Sequence, residues 1–316
     1  MKTLSYPRLI DHPDEIASLL RAVVGAQARL VECRVINQDV DYCVLFARLS
    51  QPDIEVVVKL AGPKARMDSK FDRTAALHKL VSETTTVTIP ETIAVDASLK
   101  KWPWRYFIRT YLPGTEWTYL RNQMSKSELA GAYQQIGDAV SQLHQIEFPG
   151  FGEIDPLVQV IDPDPRCTSA LIRHAVHIIH NPQLLDAFLT ALEQRSTWFD
   201  GVVESRLCHE DLHGYNILFS RLGGEWRLAT ILDFDKAWAG HAETDLARLE
   251  LWRGMTSPDF WEAYRLLSPM DVDYLQRRPI YQLLWCLEYA RSSPEHLADT
   301  QRVCRELGIS VIDSFD

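Results

Sequence analysis

The chain has 316 residues, about twice the length of a typical domain, so two domains or lobes are expected. Hydrophobic residues make up 46% and charged residues 24%, which excludes disordered, collagen-like and low-complexity chains. The net charge of −10 excludes a general affinity for nucleic acid or anionic membranes, and it is unevenly spread: residues 1–112 carry 16 Lys/Arg against 13 Asp/Glu (net +3), residues 113–316 carry 17 against 30 (net −13).

Taken in order, Glu15–Ala28 has helical spacing. Tyr42–Leu49 and Ile54–Leu60 are β-rich runs around the turn-like Ser50-Gln51-Pro52-Asp53, a hairpin whose second strand runs Val56-Val57-Val58-Lys59. Asp72–Ser82 reads as a helix with Ala75, Ala76, Leu77 and Leu80 on its apolar side, and Thr86–Ala94 and Trp104–Tyr111 as two further strands. After Pro113-Gly114 the texture turns helical. Ser125-Lys126-Ser127-Glu128 is a capping box, followed at helical spacing by Leu129, Tyr133, Ile136, Val140 and Leu143. Leu184–Leu192, Pro258–Leu267, Val272–Tyr289 and Pro294–Leu307 supply more helices, and one β-rich interruption spans residues 206–235. The expected architecture is α+β and bilobal, with an antiparallel-sheet lobe at 1–112 and a larger, mainly helical lobe at 113–316.

Met1–Leu20 lacks the basic and apolar regions of a signal peptide, and no run approaches the ~18 apolar residues that span a bilayer. The six cysteines form no C-x-x-C pair, so reduced and mostly buried thiols are expected, in a cytoplasmic protein that is a monomer or homodimer.

Two incompatible patterns overlap in the interruption. His209-Glu210-Asp211-Leu212-His213 matches H-E-x-x-H, in which two histidines on one helix face bind Zn²⁺. The same stretch begins H-x-D-x-x-x-x-N, as His209, Asp211 and Asn216, which in kinases sets an Asp beside the acceptor hydroxyl and an Asn on a metal ion. Context arbitrates. Zinc needs a continuous helix, yet Gly214 follows His213 directly and Ile217-Leu218-Phe219 reads as a strand. The kinase pattern needs a hairpin ending in a second metal-binding Asp. Leu228–Leu232 followed by Asp233-Phe234-Asp235 supplies it. Asn216 and Asp233 offer the oxygen ligands that Mg²⁺ favours, and Lys59 at its strand end is a point charge suited to the phosphates of ATP.

The stretch Cys208–Leu218 resembles the catalytic loop of aminoglycoside phosphotransferases and choline-kinase-like enzymes, which have a protein-kinase-like fold. The likeness extends through Ile231–Asp235 and into Gly240-His241-Ala242-Glu243-Thr244-Asp245-Leu246-Ala247, which is similar to that family's G-x-x-x-x-D-L-A segment. Val57-Val58-Lys59, Tyr111–Gly114 and Leu143-His144 are weaker echoes. The resemblance implies that Asp211 orients or deprotonates the acceptor hydroxyl. Asn216 and Asp233 would hold Mg²⁺, Lys59 would bind ATP (or GTP) phosphates, and Asp245 and His209 would support the loop. Asp235 would assist metal or substrate, or stand solvated. Two features depart from the family. Thr74 occupies the position where a helix Glu would pair with Lys59, leaving Asp72 or Glu83 as the substitute, and the loop Ile36–Tyr42 has no glycine to cradle phosphates. Glu210 stands where regulated protein kinases carry Arg, so a protein substrate is not expected.

The acceptor is then a small hydroxylated molecule. The −13 portion points to a cationic one, held by Glu243, Glu250 or Asp259, by cation–π contact with Trp238 or Trp252, or by the acidic end Asp313–Asp316. An aminoglycoside, with antibiotic resistance as its consequence, is the first expectation and a choline-like or amino-sugar metabolite the next. The rival readings are a catalytically inactive kinase-like binding module, a zinc peptidase through His209, Glu210 and His213, and a phosphatase with its nucleophile in Asp233-Phe234-Asp235.

Overall fold

A computed structural model describes residues 13–38, 42–63, 65, 70–290 and 293–315. Residues 39–41 of the expected nucleotide loop and Asp316 of the acidic end lie outside the described residues. The chain divides into two compact units, one formed by 1–114 with 156–158 and 229–235, the other by 115–155, 159–228 and 236–316.

The first unit opens with helix α1 (Pro13–Val24), which stops at Gly25, a residue in the positive-φ region (φ 144°). Strands β1 (Arg29–Gln38), β2 (Tyr42–Ser50) and β3 (Ile54–Ala61) follow, then helix α2 (Phe71–Thr84) and strands β4 (Thr92–Asp96) and β5 (Arg105–Thr110). They form an antiparallel sheet in the order β1-β2-β3-β5-β4. Alternation along β3 sorts its side chains. Val56, Val58 and Leu60 join Ile16, Leu19 and Leu20 of α1 in one core, while Ala61 packs with Phe71 and Phe107 in a separate cluster. Strand β1 is legible only in three dimensions. It is an edge of the sheet: Val31 and Ile36 stay exposed, and bulges between Leu30 and Glu32 and between Val35 and Asn37 break its alternation. Conversely, the strand expected at Thr86–Ala94 shrinks to β4, because Pro90 has no N–H for a ladder.

The second unit holds strand β6 (Thr115–Glu116), helix α3 (Trp117–Leu120), helix α4 (Lys126–Leu143), strand β7 (Glu147–Phe148), helices α5 (Cys167–Ile178) and α6 (Pro182–Glu193), and strand β8 (Ser205–Cys208). Next come strand β9 (Ile217–Leu222) and β10 (Glu225–Ile231), the second half of which belongs to the first unit. Strand β11 (Trp238–Gly240) and helices α7 (Glu243–Leu251), α8 (Pro258–Leu267), α9 (Tyr274–Glu288) and α10 (Pro294–Leu307) complete the chain. The capping box closes on α4 as its sequence requires: Ser125 accepts from the Glu128 N–H, and Glu128 accepts from the Ser125 N–H. Strands β9 and β10 are joined at Gly223-Gly224, both at positive φ (61° and 88°), the geometry of a two-residue hairpin turn. The core gathers α5, α6, α9 and α10 around Phe188, Tyr281, Leu284 and Val303. All six cysteines are free thiols, and every one except Cys33 is buried. Among the described residues, no helix is long and apolar enough to cross a membrane.

Helix α4 meets α8 at Gly137, where a Cβ would lie 2.3 Å from the Phe260 carbonyl oxygen. A backbone carbonyl cannot swing away as a side chain can. Gly137→Ala is therefore expected to destabilise the protein by about 1–3 kcal/mol in urea unfolding, although alanine gains about 1 kcal/mol in helix propensity. A net stabilisation would show that α8 yields at this contact.

Candidate active site

In the first unit the strand register decides where Lys59 points. It lies opposite Val44 on β2 and Phe107 on β5, and its ammonium reaches the segment that follows β10. There Nζ donates to Asp233 Oδ1 at 3.2 Å and to Asp235 Oδ2. Asp235 is held in turn from α2, where Thr74 Oγ1 donates to its Oδ1 at 2.8 Å and the Arg73 guanidinium donates to its carbonyl. The helix thus carries no carboxylate to Lys59; it positions one from elsewhere. This corrects the expectation for Asp72 and Glu83. Asp72 is exposed, and Glu83 is exposed and paired loosely with Lys79. Asp235 is likewise not a freely solvated carboxylate: Lys59 and Thr74 both hold it.

Burial works against the charge of Lys59, but the two carboxylates outweigh it and hold the ammonium above the ordinary lysine range. Burial likewise works against Asp235, and Lys59, Thr74 and Arg73 hold it below the usual carboxylate range. Arg109, opposite Val57, adds a second cation whose charge is felt by Asp233 and Asp235. The sequence carried a signal for it, since Phe107 and Arg109 are two apart on β5 and share a face.

In the second unit, β8 delivers the chain into a loop, residues 209–216, that contains no helix. This corrects the zinc reading. His209 and His213 share no helix face, His209 is fully buried, and among the described residues no group of three or more His, Cys, Asp or Glu side chains is placed to hold a metal. The loop is organised by Asp245 in the first turn of α7. Its carboxylate accepts from the N–H groups of His209 (2.7 Å) and Glu210 (2.8 Å) and from His144 Nε2 (3.2 Å). His209 Nδ1 then accepts from the Asp211 N–H, and Asn216 Nδ2 donates to the Asp211 carbonyl. With its nitrogen committed to the loop, Asn216 offers its amide oxygen as a hard ligand. In the first unit the Asp233 side chain, paired with Lys59, remains 41% exposed.

The Asp211 carboxylate sits among donors that sequence reasoning did not find. Oδ1 accepts from Arg248 Nη2 (2.6 Å) and Tyr289 OH (3.0 Å), with Lys236 Nζ at 3.6 Å. His213 Nε2 lies 3.7 Å from Oδ2. Burial would raise its pKa, yet His213, Arg248 and Lys236 hold it far below the usual carboxylate range. Arg248 could have been found, one turn after Asp245 on the same helix face. Lys236 and Tyr289 carry no such signal.

Three expected acceptor contacts are otherwise employed. Glu243 is buried and accepts from both Nε and Nη2 of Arg277. Trp238 is buried and donates to Glu210 Oε1 at 2.7 Å. Glu250 accepts from Tyr274 and Arg278. Trp252 remains 41% exposed, its ring 6.4 Å from Tyr289 and 6.2 Å from His213.

The Lys59–Asp235 pair generates a swap experiment. Asp235→Ala leaves Thr74 without its acceptor and Lys59 with one carboxylate fewer, at an expected cost of about 1–3 kcal/mol in urea unfolding. Adding Thr74→Glu returns a carboxylate from α2 and should restore at least half of that loss. No loss in the single variant would show that the pair contributes nothing.

Comparison with known proteins fits this geometry. The chain matches the phosphotransferase enzyme family over residues 11–277. It is 25% identical over 288 residues to a probable ketoamine kinase of Vibrio parahaemolyticus, a match covering 81% of this chain and 92% of that protein. It is 30% identical over 87 residues to a probable ketoamine kinase of Enterococcus faecium, covering 28% of this chain and 29% of that one. Its fold is similar to that of a thermostable mutant of the aminoglycoside phosphotransferase APH(4)-Ia, solved as a ternary complex with AMP-PNP and hygromycin B (TM-score 0.63, 15% identity, 93% of this chain and 97% of the other). The chain belongs to the phosphotransferase enzyme family and is a small-molecule kinase by that membership, with a protein-kinase-like fold.

Proposed function

We propose that the chain transfers the γ-phosphoryl group of ATP, with Mg²⁺, to a hydroxyl of a sugar-derived amine, a ketoamine being the first choice. The observation that carries this reading is the Asp211 carboxylate, fixed in place and kept ionised by Arg248, Tyr289 and Lys236. The acceptor oxygen forms a bond to the γ-phosphorus while the bond from that phosphorus to the bridging oxygen breaks. ADP keeps the electron pair, and the hydroxyl proton is released as the new ester forms. A carboxylate held so far below its usual range is a weak base. Asp211 therefore orients the hydroxyl and favours the positive charge that grows on it, instead of storing its proton beforehand.

Asn216 and Asp233 are the proposed metal ligands. Mg²⁺, when bound, neutralises charge on the phosphates. Lys59 and Arg109 supply phosphate contacts from side chains, which suits a β1–β2 connection without glycine. Asp235 on Lys59 answers the main objection behind the inactive-module reading, because the carboxylate missing from α2 is supplied from another segment.

For the acceptor, the sequence relatives are named probable ketoamine kinases, whereas the aminoglycoside enzyme shares the fold alone. The commitments of Glu243 and Glu250 weaken the purely electrostatic case for a cation. Exposed rings at Tyr119, Tyr215 and Trp252 favour a sugar face instead. A cytoplasmic location goes with this reading.

The test supplies MgATP or MgGTP with fructosyl-lysine, hygromycin B or choline and follows phosphorylated product by phosphorus NMR. Turnover of fructosyl-lysine with ATP, falling about 10³-fold in Asp211→Ala, is expected. Turnover of hygromycin B or choline alone would overturn the acceptor, and native turnover in Asp211→Ala would overturn the mechanism. The depressed pKa of Asp211 adds a pH prediction. Stability from its ionised form is present at neutral pH and lost only as pH falls through that depressed value, so kcat should show no acid limb from Asp211 between about pH 5 and 7. A limb in that range that Asp211→Asn abolishes would refute it.

A further inference from the structure

Glu210 does more than fill the position where protein kinases carry an arginine. It has a backbone φ of 63°, a left-handed conformation unfavourable for a residue with a side chain. Its side chain is also only 1% exposed, a costly place for a carboxylate unless it is paired. The surrounding groups explain why both are tolerated. Oε1 accepts from Trp238 Nε1 and from Thr244 Oγ1, each at 2.7 Å. Oε2 has no hydrogen-bond donor and instead faces His174 Nε2 at 3.5 Å. The His174 ring is stacked on Trp238, with centroids 4.3 Å apart and planes 9° from parallel. The charged groups facing His174 are Glu210 from the loop and Glu153, whose Oε1 is 3.6 Å from Nδ1, while β11 presents only Trp238.

The backbone of the same residue is tied to the reacting group. Glu210 N–H donates to Asp245, its carbonyl accepts from Arg248, and that guanidinium also donates to the Asp211 carboxylate. A change in the Glu210 side chain therefore reaches Asp211 through one peptide and one shared arginine. We infer that Glu210 is a positioning residue: its buried carboxylate, clasped by Trp238, Thr244 and the imidazole of His174, sets the peptide that carries Asp211. None of these groups touches the reacting atoms, and the inference rests on the phosphotransfer reading of Asp211.

The clasp depends on the charge of His174. Burial disfavours that charge, but Glu153 and Glu210 outweigh it and push the imidazole up to about 9 from an ordinary 6.5. Because the folded value is the higher one, the stabilisation is complete below about pH 6.5 and is lost as pH rises through about 9. Loosening at alkaline pH should then be visible at Asp211 itself.

The test uses the full chain, labelled for NMR and assayed for MgATP hydrolysis with water as acceptor. The His174 Cε1–H signal should titrate near pH 9, with the Asp211 amide signal following it. In Glu210→Gln, which keeps a hydrogen-bonding oxygen but removes the charge, the Asp211 amide should stop following. There kcat should fall about tenfold while KM for ATP stays within about twofold. His174→Gln should likewise lose the alkaline limb of the kcat profile. An Asp211 amide indifferent to the His174 titration would overturn the inference, as would native kcat and pH profile in both variants with only a lower melting temperature. Asp211→Asn separates the two levels. Loss of activity there, with Glu210→Gln unaffected, refutes the positioning role alone, whereas full activity there refutes the phosphotransfer reading beneath it.

Discussion

The second unit is organised around one buried cation. Arg248 is completely inaccessible to solvent, its guanidinium 4.1 Å from the Trp285 ring centroid and 5.2 Å from that of Tyr289. A charge so placed has lost its hydration and must be repaid by partners, and these are the Glu210 carbonyl, the Asp211 carboxylate and the Tyr289 hydroxyl. The consequence runs both ways. Asp211 is fixed because Arg248 cannot be left unpaired, and it stays ionised because a cation lies 2.6 Å away. Asp245, three residues earlier on α7, holds the N–H groups of the same loop. One short helix thus supplies both an anion for the loop's donors and a cation for its acceptors.

The first unit obeys a different constraint, the two-residue period of a strand. Val56, Val58 and Leu60 fill the core beneath α1, so Lys59 is forced to the other face. A slip of one residue would bury the ammonium among leucines. Once there, it takes whatever carboxylates the topology offers, and those come from residues 233 and 235, far along the chain. Counting Asp233 and Asp235 with the unit they pack in brings its net charge to +1 and leaves −11 on the other. The contrast in charge survives, but part of the acidity first read as a signal for the acceptor belongs with Lys59, and part is spent on Arg277 and Arg278.

Much of the proposed machinery was legible because it is local. The spacing of His209, Asp211 and Asn216, the hairpin leading to Asp233, and the D-L-A segment lie within forty residues of one another, and short-range geometry is what a sequence records. Groups that meet across long separations were not legible. Tyr289 lies 78 residues from Asp211, and Thr74 lies 161 from Asp235. The edge strand β1 and helix α5 were missed for a related reason. Two bulges interrupt the alternation of the strand, and the helix carries none of the capping signals that marked α4.

The sequence by itself determined the chemistry on offer: which carboxylates, amide and lysine are available, in an order that belongs to a phosphotransferase. Tertiary structure decided how each is employed. It buried Glu243 against Arg277 and Trp238 against Glu210. It gave Lys59 a partner that α2 lacks, and it set Glu210 opposite His174. The reason is that a carboxylate's role depends on its solvation and on the charges within a few ångströms, and neither is a property of its neighbours in sequence.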